Sequence, residues 1–333
     1  MAFLFGDSFE HYSTAQLARK WTGSQYSAAI ATSGGRIDNG QCLSLGSSSS
    51  AVWRSLPNSA TLHCGFGFQV DTFSYSEDFF RIRDGSTNQI YLTLNTDGSI
   101  AVKSGTTLAT TSTGLIVPGQ WCHMQLSVTI NDSTGSFVFK INNVTVASDT
   151  NVDTKVSANA YANQIFLWNQ NNSVTTKFDD LYVCDDSGSY CNTLLGDGRM
   201  ECLNPSGAGN STNLTPSAGA NYECVDESVS DDDTTYNSAA SAVKDTYAMD
   251  NLVTTAGTVH VVQAISTVRK DDAGSVTGNN VIRSGGTDYA QASHALADDY
   301  EMRTNILERD PNGSIAWTVS SVNALENGWE RTA

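Results

Sequence analysis

Hydrophobic positions recur every second residue through most of the first half of the chain, and turn residues interrupt them at short intervals. Residues 63–73 carry Phe66, Phe68 and Phe73 in a strand pattern, and Phe79-Phe80-Arg81-Ile82-Arg83 runs into the turn Asp84-Gly85-Ser86. Residues 89–95 and 99–103 predict a hairpin around Asp97-Gly98, a dipeptide suited to type I′ geometry. Residues 121–130 form a long alternating strand, returned by 132–135 into 136–141 and by Asn142-Asn143 into 144–147. Residues 165–168 and 177–184 close the series. Upstream, 2–9 reads as a strand. A short helix follows, capped by Ser13 or Thr14, with Leu17 and Trp21 on one face. Two further strands, 24–27 and 41–45, lie around the turns Ser33-Gly34-Gly35 and Asp38-Asn39-Gly40. About a dozen short strands at this spacing predict an all-β sandwich over residues 1–186.

The second half has a different texture. Residues 204–222 hold few apolar groups among Ser, Asn and Gly and read as loop, and Asp231-Asp232-Asp233 as an exposed turn or linker. Strand patterns resume after Thr246, at 257–269, 280–284 and 299–308, with a short helix at 319–325. Residues 187–245 are therefore expected as an acidic, loop-rich segment leading into a second, smaller β-sandwich-like domain whose core is 246–333. No fixed-period repeat and no heptad stalk is visible.

Composition sharpens this. Charged residues make up only 16% of the 333, so Ser, Thr, Asn and Gly must solvate much of the surface. Net charge is −17. Residues 1–186 carry 10 Lys+Arg against 15 Asp+Glu, a net of −5, and residues 187–333 carry 8 against 20, a net of −12. Such a surface repels nucleic acid and anionic membranes, which need clustered Lys and Arg. Asp7 and Glu10 follow Met1–Phe5 with no basic segment before it, so no secretory signal is expected, and no apolar run reaches membrane-spanning length.

Of the seven cysteines, Cys184, Cys191, Cys202 and Cys224 lie among turn residues, as disulfide cysteines often do. A Cys184–Cys191 bridge would contribute about 2.5 kcal/mol through chain entropy and Cys202–Cys224 about 3.4 kcal/mol, although spacing alone does not fix the pairing. The odd count leaves Cys42, Cys64 and Cys122 as candidates for a free or interchain thiol. No CxxC pair or His at zinc-finger spacing occurs, so cysteine-based metal binding is not expected.

Three segments resemble laminin-G-like (concanavalin A-like) domains: Phe5-Gly6-Asp7-Ser8-Phe9-Glu10-His11-Tyr12 as an opening strand, Gly119 to Leu126 with Trp121 and His123, and Phe178-Asp179-Asp180-Leu181-Tyr182-Val183 as the closing strand. The resemblance implies a jelly roll in which opening and closing strands are neighbours. Leu195-Gly196-Asp197-Gly198-Arg199-Met200-Glu201, Arg283 to Tyr289, Ala316-Trp317-Thr318 and Asn323 to Glu326 resemble structural proteins of tailed bacteriophages. That resemblance implies a virion part of the tail, neck or capsid surface, made in the host cytoplasm, homo-oligomeric and partnered by other virion proteins.

Chemistry is sparse. Glycoside hydrolysis needs two carboxylates flanking the scissile bond, and Glu77-Asp78, adjacent on a strand, would face opposite sides. His11, His63, His123, His260 and His294 are scattered, and no nucleophile elbow, phosphate loop or zinc-protease helix occurs. No enzyme, catalytic residue, metal residue or cofactor is expected. Calcium is the one ion tested on particular residues: Asp7, Glu10, Asp179 and Asp180 would converge if the end strands pair, the alternative being turn and strand-end hydrogen bonds. The alternative function is an adhesin recognising host surface glycan, with Trp53, Tyr75, Tyr91, Tyr161 and Trp168 as candidate stacking residues against a reading as core aromatics.

Overall fold

The computed structural model describes residues 2–37, 39–47 and 49–333, so Asp38 of the predicted Asp38-Asn39-Gly40 turn lies outside the described residues. The chain forms two compact units, Met1–Met200 and Glu201–Ala333.

The strands of the first unit are β1 (Phe3–Asp7), β2 (Gly23–Gln25), β3 (Ala28–Ala31), β4 (Cys42–Leu45), β5 (Ser50–Ser59), β6 (Thr61–Val70), β7 (Glu77–Asp84), β8 (Thr87–Leu94), β9 (Ile100–Ser104), β10 (Thr106–Thr110), β11 (Cys122–Thr129), β12 (Gly135–Ile141), β13 (Val144–Val152), β14 (Ala162–Asn169) and β15 (Thr176–Asp185). They make two antiparallel sheets. One runs β13-β12-β11-β6-β15-β4-β3 with β1 also on β15, and the other runs β10-β9-β8-β7-β14-β5-β2. The architecture is an all-β sandwich. Alternate residues of each strand fill its interior, where Phe66 lies 4.6 Å from Phe80 and Phe68 lies 4.3 Å from Phe79 between ring centroids.

Opening and closing strands do pair, with Phe5 opposite Val183 and Asp7 opposite Leu181. β15 lies beside β4 through Phe178 and beside β1 from Leu181 onward, and its register with β6 shifts between Asp179 and Tyr182. Asp179-Asp180 is thus a bulge where one edge partner replaces another. Asp180 takes a left-handed backbone (φ 48°), which Asp tolerates better than most residues.

The predicted hairpin has a different turn. Asn95 and Ser99 close it, the Asn95 N–H donating to the Ser99 carbonyl (2.9 Å), and between them only Gly98 has positive φ (79°). It is a three-residue loop with a left-handed glycine, not a two-residue type I′ turn. The helix expected after the first strand is a 3-10 turn, Thr14–Arg19, which buries Leu17 and leads into buried Trp21.

β15 ends at Asp185, but the chain stays on the first sheet to Met200. The Leu195 N–H donates to the Tyr182 hydroxyl (3.0 Å), that of Gly196 to Gln125 Oε1 (3.1 Å), and that of Asp197 to Asn143 Oδ1 (3.0 Å). Polar side chains standing on the sheet therefore hold the segment expected as a spacer, and the unit closes at residue 200 where 186 was expected.

The second unit comprises β16 (Pro205–Thr212), β17 (Thr215–Pro216), β18 (Asn237–Ser238), β19 (Val243–Met249), β20 (Val262–Val268), β21 (Thr277–Ser284), β22 (Thr287–Ala290), β23 (His294–Ala295), β24 (Glu301–Leu307), the short helix α1 (Val319–Asn323) and β25 (Glu326–Arg331). A sheet ordered β16-β19-β25-β21-β22, with β23 on β21, is accompanied by the pairs β20-β24 and β17-β18. Its core gathers Ala264, Ile282, Leu307, Trp317, Val322 and Leu325, and the Trp317 indole donates to the Leu307 carbonyl (2.9 Å). The sheet draws β16 and β19 from residues 205–249, so the expected loop at 204–222 contains an edge strand.

The expected disulfides do not form: among the described residues, which include all seven cysteines, none is bridged. Cys184 is fully buried within β15, whereas Cys191 sits half-buried on the loop that follows. The Cys224 thiol donates to the Ala218 carbonyl (2.8 Å), and the Cys202 thiol turns to Asn204 Oδ1 (3.8 Å), so each has a local partner in place of the other. Cys42, Cys64 and Cys122 are buried strand residues. Burial pushes the thiols of Cys42 and Cys122 up to about 11 and about 12, and that of Cys64 higher still.

Candidate functional site

The outer face of the β10-β9-β8-β7-β14-β5-β2 sheet carries a row of opposed residues fixed by register. Gly23 stands opposite Trp53, Trp53 opposite Phe166, Phe166 opposite Arg81, Arg81 opposite Tyr91, and Tyr91 opposite Lys103. Trp168 and Gln164 flank Phe166 at two-residue spacing on β14, and Arg83 follows Arg81 on β7, so all share the face. Gly23 is required here because its missing Cβ would lie 2.2 Å from the Trp53 ring, which crosses β2 at that point.

The aromatic rings and guanidinium groups form one layered surface. Trp53 stacks on Phe166 (5.7 Å between centroids), and Phe166 lies 5.5 Å from Trp168. Arg83 sits 4.6 Å above the Phe166 ring and Arg81 4.7 Å above that of Trp168, both cation–π distances. Arg81 donates to Asp78 Oδ2 (3.1 Å), which neutralises part of its charge. Arg83 donates to Gln164 Oε1 (3.1 Å) and the Ser86 carbonyl (2.6 Å), both neutral. The Nε atoms of Arg81 and Arg83 and the Trp168 indole nitrogen have no hydrogen-bond partner although they are shielded from solvent. Above this surface lies an open groove of about 480 Å³, lined by Gln25, Trp53, Arg81, Arg83, Gly85, Ser86, Gln164, Phe166 and Trp168. Among the described residues no Asp, Glu, His, Tyr, Lys or Cys lines it.

Of the stacking residues expected from sequence, Trp53 and Trp168 meet in the groove, and Tyr91 lies one strand beyond Arg81 in the same row. Tyr75 is exposed in the turn before β7, and Tyr161 precedes β14, so neither joins them. Sequence reading missed Arg81, Arg83, Gln164 and Phe166. The signal was present in the alternation of Phe79-Phe80-Arg81-Ile82-Arg83, where two arginines fall on the face opposite Phe80 and Ile82, both fully buried.

The four carboxylates tested for calcium divide into two sets. Asp7 is fully buried and takes hydrogen bonds from Tyr12 (2.5 Å), Trp21 (2.8 Å) and Lys20 (3.1 Å). Asp179 and Asp180 belong with Arg36, whose backbone N–H donates to Asp179 Oδ2 (2.7 Å) and whose Nε lies 3.3 Å from Asp180 Oδ2, and Glu10 accepts from the Gln41 N–H (3.1 Å). Among the described residues no group of three or more His, Cys, Asp or Glu side chains is placed to hold a metal ion. His123 is buried 4.0 Å from Asp197, and burial holds its imidazole below the usual value.

Burial pushes the Asp179 carboxyl up, and the charge of adjacent Asp180 adds to it. A carboxyl raised in the folded state binds its proton more tightly there than in the unfolded chain. It therefore contributes stability below the unfolded value near 3.8 that is lost as pH rises through the folded value. Asp179→Asn keeps an oxygen for the Arg36 N–H and removes the titration. Thermal melts between about pH 5 and about pH 8.5 are expected to fall less steeply with pH in the variant than in the parent, and parallel curves would contradict this assignment.

No family model and no curated protein matches the chain. Solved structures match at low identity. A sialidase is 14% identical with a TM-score of 0.43, over 56% of this chain and 19% of that one. The alginate lyase Aly36B is 11% identical with a TM-score of 0.41, over 55% and 96%. Lectin II from Ulex europaeus is 13% identical with a TM-score of 0.34, over 49% and 91%. The chain thus spans about a fifth of the sialidase's length. No homology to tailed-phage virion proteins is found, so the kinship expected from the sequence has no support. Among the described residues no helix is long and apolar enough to cross a membrane.

Proposed function

We propose that the first unit is a carbohydrate-binding module of the concanavalin A-like kind, and that it binds saccharide in the groove over Trp53, Phe166 and Trp168 without chemically altering it. The carrying observation is the continuous aromatic row left partly open on a sheet face, with the guanidinium groups of Arg81 and Arg83 stacked on it. Sugar rings present flat C–H faces that stack on aromatic rings, and their hydroxyls accept from donors at the rim. Trp, Tyr and Arg are also the residues on which binding energy concentrates. Hydrolysis needs a pair of carboxylates and elimination a base, and among the described residues the groove lining holds no carboxylate, histidine, tyrosine or lysine, which supports binding over catalysis.

The reading is tested by screening the full chain on a glycan array that spans neutral and acidic oligosaccharides, then titrating the hits by calorimetry. Trp168→Ala and Trp53→Ala are each expected to weaken binding at least about tenfold, roughly 1.4 kcal/mol. A folded parent protein that binds nothing on the array, or hits whose affinity neither substitution changes, would remove the proposal. Product analysis after prolonged incubation is expected to return the oligosaccharide intact.

A further inference from the structure

The chain carries 35 Asp+Glu against 18 Lys+Arg, so a cation in it rarely lacks an acidic neighbour. Arg83 does. Among the described residues no carboxylate pairs with it, and both of its hydrogen bonds go to neutral oxygens. Its neighbour on the same face is a second cation, Arg81, which Asp78 only partly offsets, and Lys103 stands two strands further along the row. Burial and the charge of Arg81 lower the Arg83 guanidinium from its ordinary value, the mark of a cation held without compensation. Two guanidinium groups two residues apart, stacked on Phe166 and Trp168 and each with an unpartnered Nε, are costly to keep half-desolvated. A neutral sugar returns little of that cost. An anionic group returns it through charge-assisted, often bidentate hydrogen bonds, the geometry for which arginine is suited.

We propose, resting on the carbohydrate-binding reading of this groove, that its ligand is an acidic saccharide whose carboxylate or sulfate is held by Arg83 and Arg81. The aromatic row supplies stacking and the arginines supply the choice among sugars. An acidic polymer would otherwise be repelled by a chain of net charge −17, so the local cationic row also sets where it can approach.

The test uses the full chain with oligogalacturonate, its fully methyl-esterified form and a heparin-derived oligosaccharide of equal length. At least one acidic oligomer is expected to bind at least about tenfold more tightly than the neutral ester, with an affinity that falls as sodium chloride rises while that of the ester does not. Arg83→Gln is expected to erase the preference, acidic and esterified forms then binding within about twofold of each other, whereas Trp168→Ala weakens both and keeps the preference. If the ester binds as tightly as both acidic oligomers, acidic selectivity is wrong and the carbohydrate reading stands. If none of the three binds, the acidic inference is wrong, and the glycan array decides the carbohydrate reading. Should Arg83→Gln unfold, the parent's salt dependence decides alone: equal salt sensitivity of acidic and neutral ligands overturns the inference.

Discussion

Asp7→Ala is expected to destabilise the first unit by about 3–5 kcal/mol, the cost of leaving a buried charge without its partner. Asp7 and Lys20 are both buried, 3.1 Å apart. The Lys20 ammonium also lies 2.9 Å from His11 Nε2 and 5.7 Å from the centroid of Phe5. Burial alone would push the Asp7 carboxyl up, but Lys20 and the Tyr12 hydroxyl outweigh it and hold the group below its ordinary value. Removing the carboxylate takes the nearby counter-charge from the buried ammonium and an acceptor from Trp21 and from the Phe9 N–H (2.9 Å). At about 2–4 °C per kcal/mol for a unit of this size, its thermal transition should fall by about 6–20 °C. The double substitution Asp7→Leu with Lys20→Met removes both charges and should recover much of the loss. Urea unfolding of the full chain, followed by tryptophan fluorescence, measures both variants. A loss below about 1 kcal/mol for Asp7→Ala would refute the account. Acid has the same sense. Burial, with the charge of Lys20, depresses His11 from 6.5 to about 3, so the stability this neutral imidazole permits is complete above 6.5 and lost as pH falls towards 3.

This network also shows what the sequence could and could not disclose. The segment Phe5 to Tyr12 is legible as an opening strand, and the pairing of its strand with the closing one follows. Whether Asp7 faces a metal or an ammonium is not legible, because Lys20 lies 13 residues away beyond a turn and no local pattern links the two. Long strands such as β6 and β11 are visible because apolar side chains recur at every second position, Leu62 to Val70 and Cys122 to Val128, although the structure buries most of the positions between them as well. β5 escapes notice because Arg54 and Pro57 interrupt its pattern, yet it delivers Trp53 to the groove. The groove itself is a product of register. Trp53, Phe166 and Arg81 come from three strands, and only pairing across those strands sets them side by side.

β16 is the clearest element that side-chain periodicity cannot announce, and it makes the second large prediction. Its sequence, Pro-Ser-Gly-Ala-Gly-Asn-Ser-Thr, buries no large apolar group, so the hydrophobic effect gives it little reason to join the sheet. Asp245 on neighbouring β19 supplies one. It is fully buried and accepts from the backbone N–H groups of Asn213 and Leu214 (2.8 Å for the latter), the Asn221 amide (2.6 Å) and the Tyr247 hydroxyl (3.1 Å). A single carboxylate thus fixes the end of β16 and the loop that follows. Asp245→Ala leaves four donors without an acceptor at about 1–3 kcal/mol for each that water cannot reach, so a loss of about 3–4 kcal/mol is expected. Asp245→Asn should lie between, since its one oxygen can serve Asn213 and Leu214 while its amide nitrogen meets the Asn221 and Tyr247 donors. Hydrogen exchange on the full chain locates the damage. Protection should disappear first across β16 and residues 213–221, with the strands of the first unit exchanging as in the parent. Unchanged protection of β16 in Asp245→Ala would mean that backbone pairing with β19 suffices, and that the carboxylate does not anchor the strand.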